Sequence, residues 1–166
     1  MKILITGATG FIGKRLSERA FEKGHDLICT GRSLDKLGSL RDKVKTVYLD
    51  IEDKETTKKL IHQEKPDIVF HCAALVDNIS LKRLRRTNVE GTKNLLDACL
   101  KERIERVVYL SSIAVIGGNS EVPLTDDLAL SATNNYGQSK IEAEKVALQY
   151  RDRGLKVAII RPPMVY

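Results

Sequence analysis

Six short apolar segments recur along the chain, and between them apolar residues repeat at helical spacing. Several of the short segments are apolar throughout rather than alternating, which is typical of parallel strands covered on both faces. Strands are predicted at residues 3–6, 26–30, 45–49, 67–71, 106–111 and 156–161. Helices are predicted at residues 11–23, 53–64, 81–101 and 136–153, with a weaker one near 34–40. The alternation predicts an α/β fold, a doubly wound parallel sheet with helices on both faces.

A glycine-rich turn follows the first predicted strand and opens the first predicted helix. Gly7, Gly10 and Gly13 are spaced as GxxGxxG. They permit a tight turn, a close backbone approach to a pyrophosphate and close helix–strand packing, respectively. The backbone N–H groups of Phe11 and Ile12 would lie at the helix N-terminus, where the helix dipole favours anions. The turn therefore predicts a Rossmann-like dinucleotide site, and the alternative is a purely structural glycine turn.

The end of the second predicted strand bears on the choice between NAD(H) and NADP(H). An NAD-binding chain is expected to present an acid there to the adenosine ribose, whereas this chain has Gly31 followed by Arg32. An arginine can pair with a 2′-phosphate through its planar guanidinium. We therefore expect NADP(H) to be favoured over NAD(H). In the alternative interpretation, Arg32 is a solvated residue and Ser33 caps the next short helix.

Two further strand ends carry residues suited to the adenosine half of such a cofactor. Asp50, followed by Ile51, comes after the third strand and can accept from the adenine amino group. Its alternative role is a helix cap, which Asp53 serves better. Residues 72–74, Cys-Ala-Ala, follow the fourth strand and are small enough for backbone to lie against the ribose. His71 is interpreted as a buried structural histidine rather than a base.

Three side chains form a candidate catalytic group. Tyr136 and Lys140 lie four residues apart and share one face if their segment is helical. A free tyrosine has a pKa of about 10, and a nearby ammonium group would favour the phenolate needed for acid/base work. Ser112 ends the fifth strand, at the edge where open α/β sheets bind ligands, and could donate to a substrate oxygen. One of Ser111 and Ser112 is alternatively a turn residue.

Asn88 falls on the inward stripe of the helix predicted at 81–101. A buried amide must find hydrogen-bond partners. Asn88 could hold a water molecule that relays protons from Lys140, or it could act as a core amide that holds neighbouring backbone. We keep both interpretations.

Taken together, these motifs resemble the extended short-chain dehydrogenase/reductase family, in its NAD(P)-dependent epimerase/dehydratase group. The matching stretches are TGATGFIG (6–13), LDIED (49–53), HCAA (71–74), NVEGT (88–92), LSSIAVIG (110–117), YGQSK (136–140) and RPPMVY (161–166). Two positions depart from the pattern: Ile116 stands where many sugar-nucleotide members have Tyr, and Asn135 stands where Pro is frequent. The pair Gly31 and Arg32 is similar to the NADP-using reductase branch.

The resemblance implies roles for the candidate residues. Tyr136 would be the acid/base, Lys140 would bind the nicotinamide ribose and tune Tyr136, and Ser112 would orient the reacting oxygen. Asn88 matches the fourth active-site position of the family. The residues assigned to the cofactor are Gly7, Thr9, Gly10, Phe11, Ile12, Gly13, Arg32, Asp50, Ile51, Cys72, Ala73, Ala74, Asn88, Tyr136, Lys140 and Pro162.

Three functions follow from this site. The first is an NAD(P)(H)-dependent oxidoreductase of the epimerase/dehydratase type, which moves a hydride between nicotinamide and a carbinol or ketone carbon. The second is a nucleotide-sugar epimerase or dehydratase, in which the cofactor is reduced only transiently. The third is a non-catalytic dinucleotide sensor or scaffold, ranked last because Ser112, Tyr136 and Lys140 are all present. The substrate would be a small molecule that the sequence does not identify.

Composition narrows the class of partner. The net charge of +6 is spread along predicted helices such as KRLRR at 82–86, and the chain has no Trp, so we expect no nucleic-acid partner. No run approaches the roughly 20 apolar residues of a membrane span, so we expect no membrane partner. The three cysteines (Cys29, Cys72 and Cys99) are far apart, which argues against disulfides or a zinc site and predicts a cytoplasmic protein without a metal.

The length of 166 residues suits one domain. In the family that the chain resembles, RPPMVY ends the sixth strand and the chain continues into a substrate-binding lobe. We therefore expect residues 1–166 to form an NAD(P)-binding domain without that lobe, a truncation that binds cofactor but turns over poorly or not at all. The resemblance also implies a homodimer through the helices near 81–101 and 136–153.

Overall fold

A single six-stranded parallel sheet organises the computed structural model, with strand order β3-β2-β1-β4-β5-β6. The structure describes residues 1–76, 79–119, 123, 125 and 127–165. The strands are β1 (Lys2–Thr6), β2 (Asp26–Gly31), β3 (Lys45–Tyr48), β4 (Ile68–His71), β5 (Arg106–Leu110) and β6 (Val157–Ile160). All six lie within one residue of their predicted bounds, and the predicted doubly wound sheet is confirmed.

The helices agree with the sequence pattern except in the middle of the chain. They are α1 (Phe11–Glu22), α2 (Lys54–Glu64), α3 (Leu81–Leu84), α4 (Gly91–Lys101) and α5 (Asn135–Asp152). The helix predicted at 81–101 is interrupted, because a π-helical turn (Arg85–Glu90) joins α3 to α4. The weak helix near 34–40 is a 3₁₀ segment that is broken at Gly38, where φ is 59°.

Alternate residues of β1, β2 and β4 enter two different cores, as the period of two in a strand requires. Leu4 and Val69 belong to the larger core, which is completed by residues of α2, α4 and α5. Ile3 and Ile5 belong to a second core with α1 and the 3₁₀ segment. Covering on both faces explains why β1 is apolar at successive positions.

The reversal of strand order lies between β1 and β4. From β1 the chain runs outward to β3 and then crosses back to β4, so the loops after β1 and β4 diverge at the carboxyl edge. Open parallel sheets bind their ligands at such a point. The amide of Cys72 donates to the Thr6 carbonyl (3.1 Å), and that of Ala8 donates to the Thr30 carbonyl (2.9 Å), which fixes the three strand ends relative to one another. Within the described ranges, no helix has the length and apolar character of a membrane span.

Candidate functional site

Two clefts meet above the carboxyl edge of the sheet. The first has a volume of about 260 Å³ and lies over β1, β2 and β4. The second has a volume of about 600 Å³ and lies over β1, β4 and β5. Both are bordered by Gly7, Gly10, Cys72 and Ala74. The loops after β1 and β4 therefore form a shared ridge, and an elongated ligand could occupy both clefts by crossing it.

The geometry of the turn after β1 depends on its glycines. Gly7 has φ of 66°, in the region that favours glycine, and a Cβ there would lie 2.6 Å from the Ala73 amide nitrogen. A Cβ at Gly13 would lie 2.1 Å from the Gly7 carbonyl oxygen. Gly10 is the N-cap of α1 and supplies no side-chain acceptor, so first-turn N–H groups are available at the positive end of the helix dipole.

The first cleft has cationic side chains at its outer end. Arg32, Ser33 and Lys36 line it, and both basic residues are exposed. Ser33 stands at the N-cap of the 3₁₀ segment without a side-chain capping hydrogen bond in the described structure. Sequence analysis missed Lys36; its spacing of four from Arg32, at the start of a short helix, was the available signal. The outer end of this cleft is suited to an anionic group.

Gly31, at the end of β2, packs closely against the glycine-rich turn. A Cβ built at Gly31 would lie 2.7 Å from the Thr9 hydroxyl oxygen, whose side chain comes from the glycine-rich turn. Asp50 is also at this cleft, and its Oδ1 accepts from the Glu52 amide at 3.0 Å. Asp53 caps α2 by accepting from the Thr56 amide, as the sequence predicted. Asp50 is therefore not needed as the helix cap.

The loop that carries Asp50 is fastened to the neighbouring helices. The Asn94 side chain donates to the carbonyls of Ile51 (3.2 Å) and Glu52 (3.3 Å). The Thr87 hydroxyl donates to the Glu52 carboxylate at 2.6 Å, and Arg83 contacts the same carboxylate. Thr87 also lines the first cleft. This support was invisible in the sequence, because its members come from segments that only the fold brings together.

The second cleft collects Ser112, Tyr136 and Lys140. Lys140 is only 1% exposed, and its Nζ donates to the Leu110 carbonyl at 2.7 Å. Burial lowers the pKa of Lys140 to about 7, although the Glu144 charge opposes that shift. Burial also raises the pKa of Tyr136 above its usual value, against a hydrogen bond from Ser112. The sequence reasoning had considered only the lowering effect of the ammonium group.

The two serines at the end of β5 behave differently. Ser112 accepts from the Ala114 amide at 3.1 Å and so caps a short 3₁₀ turn (Ile113–Val115), while it also borders the cleft with Tyr136. Ser111 is buried, and its hydroxyl has no hydrogen-bond partner in the described part of the chain. The turn residue is therefore Ser112, the same serine that is predicted from the sequence to contact the substrate.

Asn88 lies beneath the clefts rather than at their surface, in the π-helical turn. It is 1% exposed, and its side chain accepts from the Leu75 amide (2.8 Å) and donates to the Leu75 carbonyl (3.0 Å). It also donates to the Ser139 hydroxyl at 2.9 Å. These contacts match a core amide that ties the loop after β4 to α5. The proton-relay role of Asn88 stays a prediction.

His71 is the last residue of β4 and is fully buried. Its Nδ1 is 2.7 Å from the Thr6 hydroxyl, and its Nε2 is 2.9 Å from the Thr92 hydroxyl. Thr92 donates onward to the Asn88 carbonyl, so it accepts from Nε2–H while Thr6 donates to Nδ1. Burial, with a smaller contribution from Lys140, lowers the pKa of His71 to about 3. The residue is a neutral structural histidine, as its sequence context predicted.

The structure thus brings nearly all the assigned residues to the two clefts. Those along the first cleft are Gly7, Thr9, Gly10, Arg32, Asp50, Ile51, Cys72, Ala73 and Ala74. Those that line the second are Phe11, Ile12, Gly13, Ser112, Tyr136, Lys140 and Pro162, with the shared ridge. Asn88 is the assigned residue that borders neither cleft. Tyr166, the last residue of the RPPMVY motif, lies outside the described residues.

Comparisons with known proteins agree with this geometry. The family described as "NAD dependent epimerase/dehydratase family" matches residues 3–166. The chain is 31% identical to a 3-beta-hydroxysteroid dehydrogenase from Mycolicibacterium neoaurum, over 99% of this chain and 48% of that protein. It is 32% identical to a UDP-glucose 4-epimerase from Lactobacillus helveticus, over 97% of this chain and 51% of that protein.

Solved structures show the same relation. The structure of UDP-glucose 4-epimerase from Brucella ovis in complex with NAD superposes with a TM-score of 0.88 at 27% identity. The match covers 96% of this chain and 51% of that one. The chain therefore spans about half the length of the relatives that it matches.

Proposed function

The chain belongs to the NAD dependent epimerase/dehydratase family, and from this premise we propose that it carries the cofactor-binding and acid/base parts of an NAD(P)-dependent oxidoreductase. The observation that carries the proposal is the convergence of Ser112, Tyr136 and Lys140 in one cleft that shares a glycine ridge with a second cleft. A purely structural glycine turn would not require this convergence.

The residues of the ridge fit a dinucleotide. The Gly7 and Gly13 positions have no room for a Cβ, and α1 presents uncapped N–H groups toward the shared ridge. An anionic pyrophosphate would accept from those N–H groups. The adenosine half would lie in the first cleft with Asp50 and Ile51, and the nicotinamide half in the second with Tyr136 and Lys140.

The chemistry divides between cofactor and chain. When bound, the nicotinamide cofactor supplies hydride exchange with a carbinol or ketone carbon. Tyr136 holds the proton that leaves or joins the reacting oxygen, and Ser112 donates a hydrogen bond to that oxygen. Lys140, when charged, favours the phenolate form of Tyr136 and so opposes the effect of burial on its pKa.

We propose further that NADP(H) is preferred over NAD(H). Arg32 and Lys36 offer two exposed cations at the outer end of the first cleft, where a 2′-phosphate would lie. Thr9 leaves no room at Gly31 for the side chain of an acid that would recognise the unphosphorylated ribose. Calorimetric titration of the chain with NADPH and NADH tests this preference. We expect tighter binding of NADPH, and equal affinities or a preference for NADH would contradict the proposal.

A second candidate function is the epimerisation or dehydration of a nucleotide sugar. It is favoured by the relatives named UDP-glucose 4-epimerase, whereas the steroid dehydrogenase relative favours net oxidation or reduction. The two candidates differ in cofactor balance. In an assay of the whole protein, steady consumption of NADPH with substrate would support net oxidoreduction, and product formation without net consumption would support epimerisation.

Homodimerisation through the helical segments near 81–101 and 136–153 stays a prediction. The exposed surface between these segments includes a bidentate ion pair, in which Arg85 of the π-helical turn contacts Glu142 of α5 at 2.7 Å through two nitrogens. A dimer would have to keep this pair hydrated or bury it with further partners. Sedimentation equilibrium of the chain tests the oligomeric state directly, and a concentration-independent monomer mass would contradict the prediction.

A further inference from the structure

The ammonium group of Lys140 is buried in a place where few partners can stabilise its charge. It is 1% exposed, and one of its three donors is used by the Leu110 carbonyl at 2.7 Å. A buried ammonium that lacks further partners favours its neutral form. Under the proposed function Lys140 must be charged to assist Tyr136, so another group must compensate for the lost hydration.

Among the titratable neighbours of Lys140, one carboxylate supplies part of this compensation. Glu144, one turn further along α5, favours the charged form. However, its carboxylate is also held by Arg161, which donates to both oxygens at 2.9 and 2.8 Å. An arginine paired with the carboxylate weakens the field that the carboxylate exerts on a second cation.

The other titratable groups on the facing elements are neutral near pH 7. Burial raises the pKa of Cys72 to about 12, with Lys140 opposing, and it lowers the pKa of His71 to about 3. Burial also raises the pKa of Tyr136 on the same helix. None of these three side chains supplies a negative charge to Lys140 near pH 7.

The remaining neighbour is an aromatic face. The Nζ of Lys140 lies 4.4 Å from the ring centroid of Tyr109, well within the distance at which a ring quadrupole attracts a cation. Tyr109 is 1% exposed and is held in place by β5 and by the His71 ring, whose centroid is 5.6 Å away. Water cannot compete for the cation at such a buried position, which strengthens the interaction.

We propose that Tyr109 is a positioning residue, whose ring holds the Lys140 ammonium against the Leu110 carbonyl and keeps it charged beneath Tyr136. The ring, and not the hydroxyl, performs this task. The Tyr109 hydroxyl is buried and has no hydrogen-bond partner among the described residues. Its loss should therefore leave Lys140 unchanged. The functional consequence rests on the proposed function, whereas the contact with Lys140 can be tested without cofactor or substrate.

The test separates the electrostatics of the ring from its shape. Tyr109→Phe keeps the π face and removes the hydroxyl. Replacing Tyr109 with mono-, di- and trifluorinated phenylalanine keeps the shape of Phe and weakens the π face stepwise. The pKa of Lys140 is read from NMR titration of chains with isotope-labelled lysine side chains, and Lys140→Met identifies the resonance. Circular dichroism confirms that each variant is folded.

We expect the pKa of Lys140 to be the same in Tyr109→Phe as in the original chain. In the trifluorinated variant the pKa of Lys140 should be lower by about 1 to 1.5 units, which is the size expected for a desolvated cation–π contact, with partial shifts for fewer fluorines. The matched control is the same trifluorinated residue at Phe21, whose ring lies 6.0 Å from Lys43 at the surface, and it should leave Lys140 unchanged.

Two results would overturn the proposal. In the first, the pKa of Lys140 in the fluorinated variants equals its pKa in Tyr109→Phe and in the original chain. In the second, Tyr109→Phe lowers the pKa of Lys140 as far as trifluorination does. Neither depends on whether Tyr136 is the acid/base. Conversely, full turnover by Tyr136→Phe would contradict the proposed function and would leave the contact between Tyr109 and Lys140 unaffected.

Discussion

The first cleft carries its cations at the surface, whereas the second keeps its cation inside. Arg32 and Lys36 are exposed at the outer end of the first cleft, and Lys140 is 1% exposed at the base of the second. An exposed arginine is well hydrated and contributes little to the stability of the fold. A buried lysine lowers the free energy of unfolding while it is charged, because the fold must compensate for its lost hydration.

Exposed and buried functional residues should therefore respond differently to substitution. Substitutions in the first cleft should change ligand preference without changing stability. Substitutions around the second cleft should change proton chemistry and stability together, since Lys140, His71 and Tyr109 also belong to the packed interior. The glycine turn between the clefts should affect both, since Gly7 and Gly10 border each of them.

The strongest test of the second cleft is Tyr136→Phe in the whole protein. Removing the proton-carrying hydroxyl should lower its turnover by about 10²- to 10⁴-fold, the usual contribution of a positioned acid or base. Cofactor affinity should change little, because most of the ridge is untouched. Turnover is followed by NADPH absorbance and affinity by calorimetry. Tyr48→Phe, at an exposed tyrosine on β3, is the control and should retain full activity. Substantial residual turnover would remove Tyr136 from its proposed role.

The shared glycine turn is tested by Gly13→Ala. The new methyl group would meet the Gly7 carbonyl at 2.1 Å, so backbone must move. We expect a loss of about 3 kcal/mol in the free energy of unfolding, at the upper end of ordinary overpacking. Gly117→Ala is the matched control at the second cleft, because its nearest atom would be 3.8 Å away. Denaturant unfolding measures both variants, and equal stabilities would show that the turn is less constrained than its geometry indicates.

The first cleft is tested by Arg32→Asp. Replacing the cation with an acid should lower the affinity for NADPH relative to NADH by about 10- to 100-fold, as expected for the loss of a charge-assisted hydrogen bond. The midpoint of unfolding should not change. Arg41→Asp makes the same change of charge at another exposed arginine and is the control. An unchanged affinity ratio in Arg32→Asp would refute the phosphate contact.

The smallest effect concerns the buried histidine. Below pH 6.5 the unfolded chain protonates His71, whereas the folded chain does not until the pH approaches 3. Stability from this group is therefore complete above pH 6.5 and falls with pH, by about 2 kcal/mol between pH 6.5 and 5. His71→Gln should remove this component, and His62→Gln, at an exposed histidine, should retain it. If both variants keep the original pH dependence, His71 is not its source.

The sequence predicted the strands well because their pattern is local. A segment covered on both faces must be apolar at successive positions, and such segments identified all six strands to within one residue. The predicted helix at 81–101 shows the limit of this reasoning. Leu84 and Leu95, on either side of the π-helical turn, are spaced as if three α-helical turns separated them, so the pattern gives no sign of the interruption at Arg85–Glu90.

The site was predictable to the extent that its residues lie at strand ends. Ser112 and Arg32 follow strands directly, and parallel strands bring their carboxyl ends to one edge. Lys36 was missed because it is one of many exposed lysines along the chain. The partners of Asn88 were also out of reach, because Leu75 and Ser139 are brought to it only by the packing of α5 on the loop after β4.

The sequence by itself determined the succession of strands and helices along the chain, the glycine turn and the residue types at the sheet edge. These depend on periodicity and on conformational preferences that each short segment expresses alone. The tertiary structure decided the charge state of the interior: the neutral His71, the lowered pKa of Lys140 and the raised pKa of Tyr136. Such shifts arise from burial and from neighbours distant in the chain, and only the packed fold brings those neighbours together.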